Sequence, residues 1–358
     1  MSLGLGAMGL ANFRAIASPG KQAFFESRGD GTSPVLLSSN ENPYGPSPLA
    51  RKAFADNLAI SNRYNWEVAS LLMSAIAKKN SVKDENILLG AGSTEILDLV
   101  ARYAAQEKGN YVTSDPSYNY WTVVLDNLGS KKIKVPLTTD KKLDLKAMLD
   151  SMTQDTKLIY ICNPNNPTGT ICEREVLTDF ITKVSLKTII LVDEAYLDFT
   201  KQASLSNLVN DHPNLVVVKT FSKIYGLAGA RIGYAIASKA MIDNLSNLQS
   251  SPDGSNSVLS RLAAMASLKD DKFISECYSL NETVKNYTIK ELKKLNLTCI
   301  PSNTNFIYFS LSNYTKDYFQ QLKINNIEGT KIYEEEGKWT RITVGTIEEM
   351  KKFIKAIQ

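Results

Sequence analysis

A lysine in an unusual setting is the first sign of chemistry in this chain of 358 residues. Lys223 lies among small, hydroxyl and glycine residues in segment 219–233, and Arg231 follows eight positions later. A lysine amine can add to an aldehyde and form a covalent imine. Ser222 and Arg231 carry the donors that an anionic group near that imine needs. The segment therefore predicts a binding site for an aldehyde that also carries an anion.

Asp193 supplies the second part of this prediction. It ends the apolar run 188–192, which is typical of a buried strand, thirty residues before the lysine. A buried carboxylate does not stay charged without a partner. A protonated pyridine nitrogen is a good partner, because the ion pair keeps the ring able to accept electrons. The imine-forming lysine, the donors for an anion and the buried carboxylate together predict a site for pyridoxal 5'-phosphate (PLP). An aspartate that only caps the next element is the alternative.

Two loops add candidate ligands to this site. The run Leu89-Gly-Ala-Gly-Ser-Thr-Glu95 follows a strand pattern and opens a helix, whose first N–H groups favour an anion. The run Cys162-Asn-Pro-Asn-Asn-Pro-Thr-Gly-Thr170 has two prolines and a glycine that fix a loop after another strand. There Asn166 can donate to an oxygen of a ring ligand, and Tyr196 can donate to the phenolic oxygen of the same ring. Ordinary connecting loops are the alternative for both runs.

The elements that must position these residues alternate along the chain. Short apolar runs predict strands, and helical patterns lie between most of them; the strands are expected at 86–90, 111–113, 132–135, 158–162, 189–192 and 215–218. Continuous apolar strands that alternate with helices indicate an α/β fold with a mainly parallel sheet covered on both faces. The later residues, with a long helix at 272–295 and alternating runs at 304–344, predict a smaller α/β domain.

The motifs, taken in order, resemble the class I/II (fold-type I) PLP-dependent aminotransferases, and within them most closely the histidinol-phosphate branch. The resemblance extends from about residue 36 to residue 358. It rests on Ser39-Asn-Glu-Asn-Pro-Tyr-Gly45, Asn62-Arg-Tyr64, the turn at Gly92-Ser-Thr94, Asp115-Pro-Ser-Tyr118, Asn163-Pro-Asn-Asn-Pro-Thr-Gly169, Asp193-Glu-Ala-Tyr196, Ser222-Lys223, Arg231 and Arg341-Ile-Thr-Val-Gly345. It implies an N-terminal arm at 1–35, a large PLP-binding domain at 36–250 with a seven-stranded type of sheet, and a small domain at 251–358.

The resemblance also implies a role for each matching residue. Lys223 is expected to form the imine and to move a proton between the substrate Cα and C4' of the cofactor. Asp193 is expected to pair with the pyridine nitrogen, Asn166 and Tyr196 to bind the ring hydroxyl, and Tyr118 to stack on the ring. The phosphate ligands implied in this way are Gly92, Ser93, Thr94, Ser222 and Arg231.

Three further residues are implied to contact the substrate or a second subunit. Tyr64 matches a tyrosine that reaches the cofactor phosphate of the neighbouring subunit, which implies a homodimer with shared active sites. Arg341 matches the arginine that binds the anionic end of the substrate, and Asn42 is expected to contact the substrate as well. The implied reaction moves an amino group from an amino donor, with histidinol phosphate favoured, to 2-oxoglutarate.

The substrate assignment meets a departure from the family pattern. The family usually has a second arginine a little before Arg341, whereas this chain offers Lys331, Tyr333 and Lys338 there, together with three consecutive acids. A lysine is a point charge and does not copy the planar clamp of a guanidinium. An aromatic or other amino-acid aminotransferase therefore stays open as an alternative, as does a PLP-dependent decarboxylase or lyase on the same fold.

The totals exclude several other classes of protein. Net charge is only +4 from 41 basic and 37 acidic residues, and without a dense basic block no nucleic-acid partner is expected. No apolar run reaches the length of a membrane span. The four cysteines form no C-x-x-C pair and there is one histidine, so neither a zinc site nor a Ser-His-Asp hydrolase is expected. Reduced thiols are typical of the cytoplasm, although the small apolar residues 1–10 leave open an exported form with a trimmed signal.

Overall fold

The computed structural model describes residues 33–184, 186–251 and 255–358. The predicted arm at 1–35 lies outside the described residues except for its last three positions. In the ranges that are described, no helix is both long enough and apolar enough to cross a membrane.

The main feature of the fold is a seven-stranded sheet. Its strands are β2 (Ile87–Ala91), β3 (Asn110–Asp115), β4 (Lys131–Pro136), β5 (Thr156–Cys162), β6 (Ile189–Asp193), β7 (Leu215–Thr220) and β8 (Ile232–Ala237), and a short strand β1 (Val35–Leu36) lies outside it. The order across the sheet is β2-β8-β7-β6-β5-β3-β4. Only β8 runs antiparallel to its neighbours, so the prediction of a mainly parallel α/β sheet is confirmed.

Helices cover this sheet because its central strands are apolar on both faces. Val217 packs into one buried cluster, while Val216 and Val218 pack into a second cluster on the other face. Full burial of a valine contributes about 1.5–3 kcal/mol, so the strand is fixed from both sides. The helices are α1 (Pro48–Asp56), α2 (Trp66–Asn80), α3 (Ser93–Ala104), α4 (Val123–Asn127), α5 (Leu145–Asp150), α6 (Arg174–Lys183), α7 (Lys239–Ser246), α8 (Val258–Ser267), α9 (Asp271–Lys294), α10 (Tyr318–Ile324) and α11 (Ile347–Ile357).

A smaller sheet forms from the last part of the chain. Its antiparallel strands are β9 (Phe306–Ser310), β11 (Ile332–Glu334) and β12 (Trp339–Thr343), and β10 (Ile327–Glu328) pairs separately with β1. A third buried cluster lies against this sheet and includes Leu37. Residues 35–37 therefore pack with the C-terminal part of the chain, although the predicted large domain begins at 36. The division into domains at 35 and 250 stays a prediction.

The fold brings three loops to one edge of the large sheet. Neighbouring parallel strands β5, β6 and β7 end at Cys162, Asp193 and Thr220. The carboxyl ends of parallel strands meet at the same edge, which is where open α/β sheets bind ligands. The residues that follow these ends include Asn166, Tyr196 and Lys223, so separate motifs of the sequence become neighbours.

Candidate active site

A cavity of about 560 Å³ opens at this edge of the sheet. Most of the predicted site residues line it: Ser93, Thr94, Tyr118, Asn166, Asp193, Tyr196, Ser222, Lys223, Arg231 and Arg341. The cavity lies between the large sheet and the smaller sheet, because Arg341 belongs to β12. The structure thus gathers into one volume residues that are far apart in the sequence.

Asp193 forms the floor of the cavity. Its Oδ1 accepts a hydrogen bond from the backbone N–H of Ala195 at 3.0 Å, and its Oδ2 accepts one from the Tyr160 hydroxyl at 3.1 Å. Burial raises the pKa of the carboxyl to about 6, against the effect of these two donors. Among the ion pairs of the described ranges none includes Asp193. The site therefore offers a buried carboxylate that a cationic ligand would stabilise.

Lys223 faces the same cavity from the loop after β7. Its Nζ donates to the carbonyl oxygen of Ser39 at 3.1 Å and lies 5.5 Å from the centre of the Tyr196 ring. Burial, and then the positive charge of Arg341, lower the pKa of the lysine to about 8. More of its amine is neutral near pH 7 than for an ordinary lysine, which is what a nucleophile or a proton carrier needs.

Another part of the cavity wall has the features of an anion site. Ser93 begins α3. Gly92 before it has a φ of +74°, which favours glycine, and a Cβ there would displace the guanidinium of Arg231. The Thr220 hydroxyl donates to Ser222 Oγ at 2.9 Å and so orients it. This part of the cavity thus combines the N-terminus of α3, the hydroxyl groups of Ser93 and Ser222, and the guanidinium of Arg231. Such an arrangement favours phosphate.

Arg341 links the two sheets across the cavity. Its Nη1 donates to Asn166 Oδ1 at 2.6 Å, and its Nη2 donates to the carbonyl oxygen of Ser38. The guanidinium also lies 5.6 Å from the centre of the Tyr333 ring. An anionic substrate group can take the place of the Ser38 carbonyl, since both are acceptors for the same guanidinium.

Near Arg341, the wall of the cavity combines one cation with two aromatic rings. Lys331 Nζ lies 5.4 Å from the centre of the Tyr120 ring and 5.6 Å from that of Tyr333, and all three residues line the cavity. The first of the three acids, Glu334, is engaged elsewhere, because it accepts from the Tyr308 hydroxyl and pairs with Lys141, both at 2.7 Å. We call Tyr120, Lys331 and Tyr333 the distal cluster.

Three predicted site residues are not among those that line the cavity: Gly92, which precedes α3, Asn42 and Tyr64. The Asn42 side chain is buried and donates to the carbonyl oxygen of Ile224 at 2.7 Å. It therefore holds the backbone next to Lys223, whereas Asn40 and Glu41 line the cavity. The substrate contact of Asn42 stays a prediction. Tyr64 is 80% exposed outside the cavity.

Tyr64 nevertheless has a defined neighbour. Its ring stacks on that of Trp66 at a centroid distance of 5.1 Å and an angle of 6° between the planes. The pair belongs to the run Arg63-Tyr-Asn-Trp66. A stacked, exposed aromatic pair is a surface of the kind that a second subunit covers.

Sequence reasoning missed Tyr160, which touches Asp193 directly. Side chains on a strand alternate between its two faces, so Tyr160 and Cys162 on β5 share a face. Cys162 is the register partner of Asp193 on β6. The alternation alone places Tyr160 on the face of Cys162, but its contact with Asp193 also depends on the register between β5 and β6, which the sequence does not give.

The comparisons with known proteins agree with this site. Residues 32–357 match the family model for aminotransferase class I and II. A histidinol-phosphate aminotransferase of Moorella thermoacetica is 34% identical over 95% of this chain and 89% of its own length. An aromatic amino acid aminotransferase of Cutibacterium acnes is 32% identical, over 91% of this chain and 92% of its own.

A solved structure gives the same answer for the fold. The histidinol-phosphate aminotransferase of Sinorhizobium meliloti, solved in complex with pyridoxal-5'-phosphate, superposes with a TM-score of 0.84 at 23% identity. The superposed residues make up 99% of this chain and 98% of the Sinorhizobium meliloti chain. The resemblance inferred from the motifs is confirmed.

Proposed function

Because this chain belongs to the class I and II aminotransferases and is a PLP-dependent transaminase, we propose that it moves an amino group from histidinol phosphate to 2-oxoglutarate. One observation carries the proposal. Arg341 and Lys331 line the same cavity as Lys223 and Asp193, so two cations face the place where the substrate side chain must lie. The donor carries a phosphate and the acceptor two carboxylates, and both would use these cations.

The residues of the cavity fit the cofactor. When bound, PLP holds an amine through a carbon–nitrogen double bond and takes up the electrons left as a proton departs. Asp193 offers the carboxylate for the ring nitrogen, and Ser93, Thr94, Ser222 and Arg231 with the N-terminus of α3 offer the phosphate cradle, to which the Gly92 backbone belongs. Tyr118, which lines the cavity, is the proposed cover of the ring. Asn166 and Tyr196 are the proposed partners of the ring hydroxyl.

Lys223 is the proposed carrier of the proton. Its Nζ donates to the Ser39 carbonyl when no cofactor is bound, and it would give up this contact on binding the cofactor. The lowered pKa of about 8 allows the free amine to accept a proton near neutral pH. Arg341, the second cause of that lowering, would lose part of its influence when it binds an anion, so substrate binding and the basicity of Lys223 are coupled.

An aromatic amino acid is the second candidate donor. The Tyr120 and Tyr333 rings of the distal cluster suit an aromatic side chain, and the relative from Cutibacterium acnes carries that name. The two candidates differ in what Lys331 does. It binds a phosphate oxygen in the first case, and in the second it only fills space between the rings.

A donor screen with matched variants separates the two. We expect histidinol phosphate to convert the bound cofactor to its amine form more efficiently than phenylalanine, tyrosine or aspartate. Lys331→Met should then raise KM for histidinol phosphate about tenfold, as for a lost charge-assisted contact, and change kcat little. Lys338→Met, a lysine of the same stretch that does not line the cavity, is the control.

Other results of that screen have clear meanings. A faster response to tyrosine or phenylalanine, unchanged in Lys331→Met, favours the aromatic candidate. Release of carbon dioxide without an acceptor would move the protein to the decarboxylases of the same fold.

We also propose that the enzyme is a homodimer. In such a dimer Tyr64 reaches the cofactor phosphate of the neighbouring subunit, and the stacked Tyr64–Trp66 pair supports this because it is exposed in the single chain. Mixing of inactive variants, described in the Discussion, tests it.

A further inference from the structure

Tyr160 is among the largest fully buried side chains of the described residues. It stands on β5, on the face that it shares with Cys162, and its hydroxyl reaches Asp193 Oδ2 on the neighbouring strand at 3.1 Å. The Trp121 ring packs edge-on against it, with centroids 4.9 Å apart and an angle of 79°. Ring and hydroxyl are thus held in one place beneath the cavity floor.

We propose that Tyr160 is a positioning residue that keeps the Asp193 carboxylate ionised and aimed at the ring nitrogen of the cofactor. The proposal rests on the role given to Asp193 under the proposed function. It goes beyond that role because Tyr160 does not line the cavity and acts through Asp193 alone.

The hydrogen bonds of Asp193 carry the argument. Each carboxylate oxygen has one protein donor: the Ala195 N–H for Oδ1 and the Tyr160 hydroxyl for Oδ2. Two fixed donors hold the plane of the carboxylate and leave lone pairs for the ring N–H. Both donors favour the charged form, which burial disfavours.

The other groups around Asp193 do not replace Tyr160. Lys223 favours the carboxylate from across the cavity and is expected to be bound to the cofactor in the holoenzyme. Burial holds the pKa values of Cys162, Tyr118 and Tyr196 above their ordinary range, so they are neutral at working pH. Glu194 is a carboxylate, so it cannot donate a hydrogen bond to Asp193, and its own oxygens accept from the Leu205 N–H and the Ser204 hydroxyl.

Tyr160 itself stays a donor over the whole working range. Burial, followed by the nearby Asp193, holds the pKa of its hydroxyl well above the ordinary value. A hydrogen bond from a neutral phenol to a carboxylate therefore persists at every pH at which the enzyme would operate.

The test measures the affinity of the apoprotein for PLP as a function of pH, by absorbance, in Tyr160→Phe and wild type. We expect Tyr160→Phe to bind PLP about tenfold more weakly near pH 7, the effect of one lost bond to a charged group. The acid limb of its affinity profile should move to higher pH by about one unit. The cofactor phosphate also titrates near pH 6, but equally in both proteins.

Tyr111→Phe is the matched control. Tyr111 is equally buried in the same cluster and donates to another carboxylate, Asp126, at 2.6 Å, outside the cavity. Both variants should lose some thermal stability, and only Tyr160→Phe should shift the acid limb. A Tyr160→Phe profile that superposes on that of wild type would overturn the proposal and leave Tyr160 as a plain core residue.

A second variant gives the opposite sign and retains the shape of the core. 3-Fluorotyrosine at position 160 is a stronger donor, so the acid limb should move to lower pH; no shift, or a shift upward, contradicts the proposal. Asp193→Asn tests the premise separately, since it should remove the contribution of this carboxyl to the acid limb. If it does not, the role of Asp193 fails, whatever the donor screen has shown about the substrate.

Discussion

Two pairs of lysine and carboxylate lie at the ends of β6 and β7, and the pKa values of their lysines are shifted in opposite directions. Glu194 and Lys219 form a buried ion pair with 3.6 Å between Oε2 and Nζ, and Asp198 adds a second carboxylate 3.4 Å from the same Nζ. Asp193 and Lys223 are their near neighbours in the chain, and both face the cavity. Each pair combines a lysine with a carboxylic acid. Lys219 lies within ion-pair distance of two carboxylates, whereas no ion pair of the described ranges includes Asp193.

The pKa values show the difference. Burial acts against the charge of Lys219, yet the carboxylates of Asp198 and Glu194 raise its pKa above the ordinary value. Burial and Arg341 lower the pKa of Lys223 to about 8, and burial raises that of Asp193 to about 6. Burial alone therefore does not mark a functional group. We call Glu194 and Lys219 a compensated pair, because each has a partner of opposite charge within the protein. Asp193 and Lys223 are uncompensated, so they can take a ligand that supplies the missing charges.

The largest effect should follow from removal of the uncompensated lysine. Lys223→Ala removes the amine that would hold the cofactor covalently and carry the proton. We expect the yellow colour of the bound cofactor to be lost and turnover to fall by at least about 10²–10⁴, the contribution of a general acid–base group. Spectra and steady-state rates measure this. Colour and turnover that persist would show that the lysine is wrongly assigned.

Mixing of subunits extends this experiment to the dimer. Lys223→Ala and Tyr64→Ala should each be poorly active alone. A hybrid dimer of the two has one site with both residues intact, so reassociation should restore up to about half of the activity per hybrid. No recovery, in a mixture shown to contain hybrids, would contradict a site shared between subunits.

Breaking the compensated pair should act on stability. Lys219→Met leaves Glu194 charged and without its cation, and we expect a loss of about 3–5 kcal/mol in the free energy of unfolding. The double variant Lys219→Met/Glu194→Gln removes both charges and should recover much of that loss. Denaturant unfolding of the two proteins measures the difference.

An exposed ion pair provides the control for this cycle. Lys239 and Asp243 lie 2.6 Å apart with more than half of each side chain exposed. Lys239→Met should change the unfolding free energy by less than about 1 kcal/mol. A Lys219→Met variant as stable as this control would show that the buried pair contributes little.

The sequence predicted one side of this comparison better than the other. Lys223 and Asp193 stand in motifs whose order is visible along the chain, and the apolar runs around them are long enough to predict β5, β6 and β7. The partners of buried groups depend on register between strands, which one sequence does not give. The contacts Tyr160–Asp193 and Lys219–Glu194 were therefore missed.

Two other features were beyond the reach of the sequence for local reasons. The run that forms β8 contains glycine and alanine, which are weak strand formers, and its place depends on β2 and β7 on either side. In Asn40-Glu-Asn42 three polar residues look equivalent. The turn of the backbone decides that Asn40 and Glu41 face the cavity while Asn42 bonds to Ile224.

The smallest expected effect is the contribution of the uncompensated carboxyl, Asp193, to the pH dependence of stability. The pKa of Asp193 is about 6 in the folded apoprotein and near its ordinary value, 3.8, in the unfolded chain. The folded state therefore binds more protons between these values, and its stability falls as the pH rises from about 4 to about 6. The full loss is at most about 3 kcal/mol.

Thermal unfolding of the apoprotein and of Asp193→Asn, compared at each pH, isolates this contribution, because asparagine does not titrate. Since the ring nitrogen of PLP would compensate the carboxylate, added PLP should stabilise the wild type more at pH 7 than at pH 5. A difference between the two proteins that is flat from pH 4 to pH 7 would mean that Asp193 is already compensated within the protein, and the contrast with Glu194 would disappear.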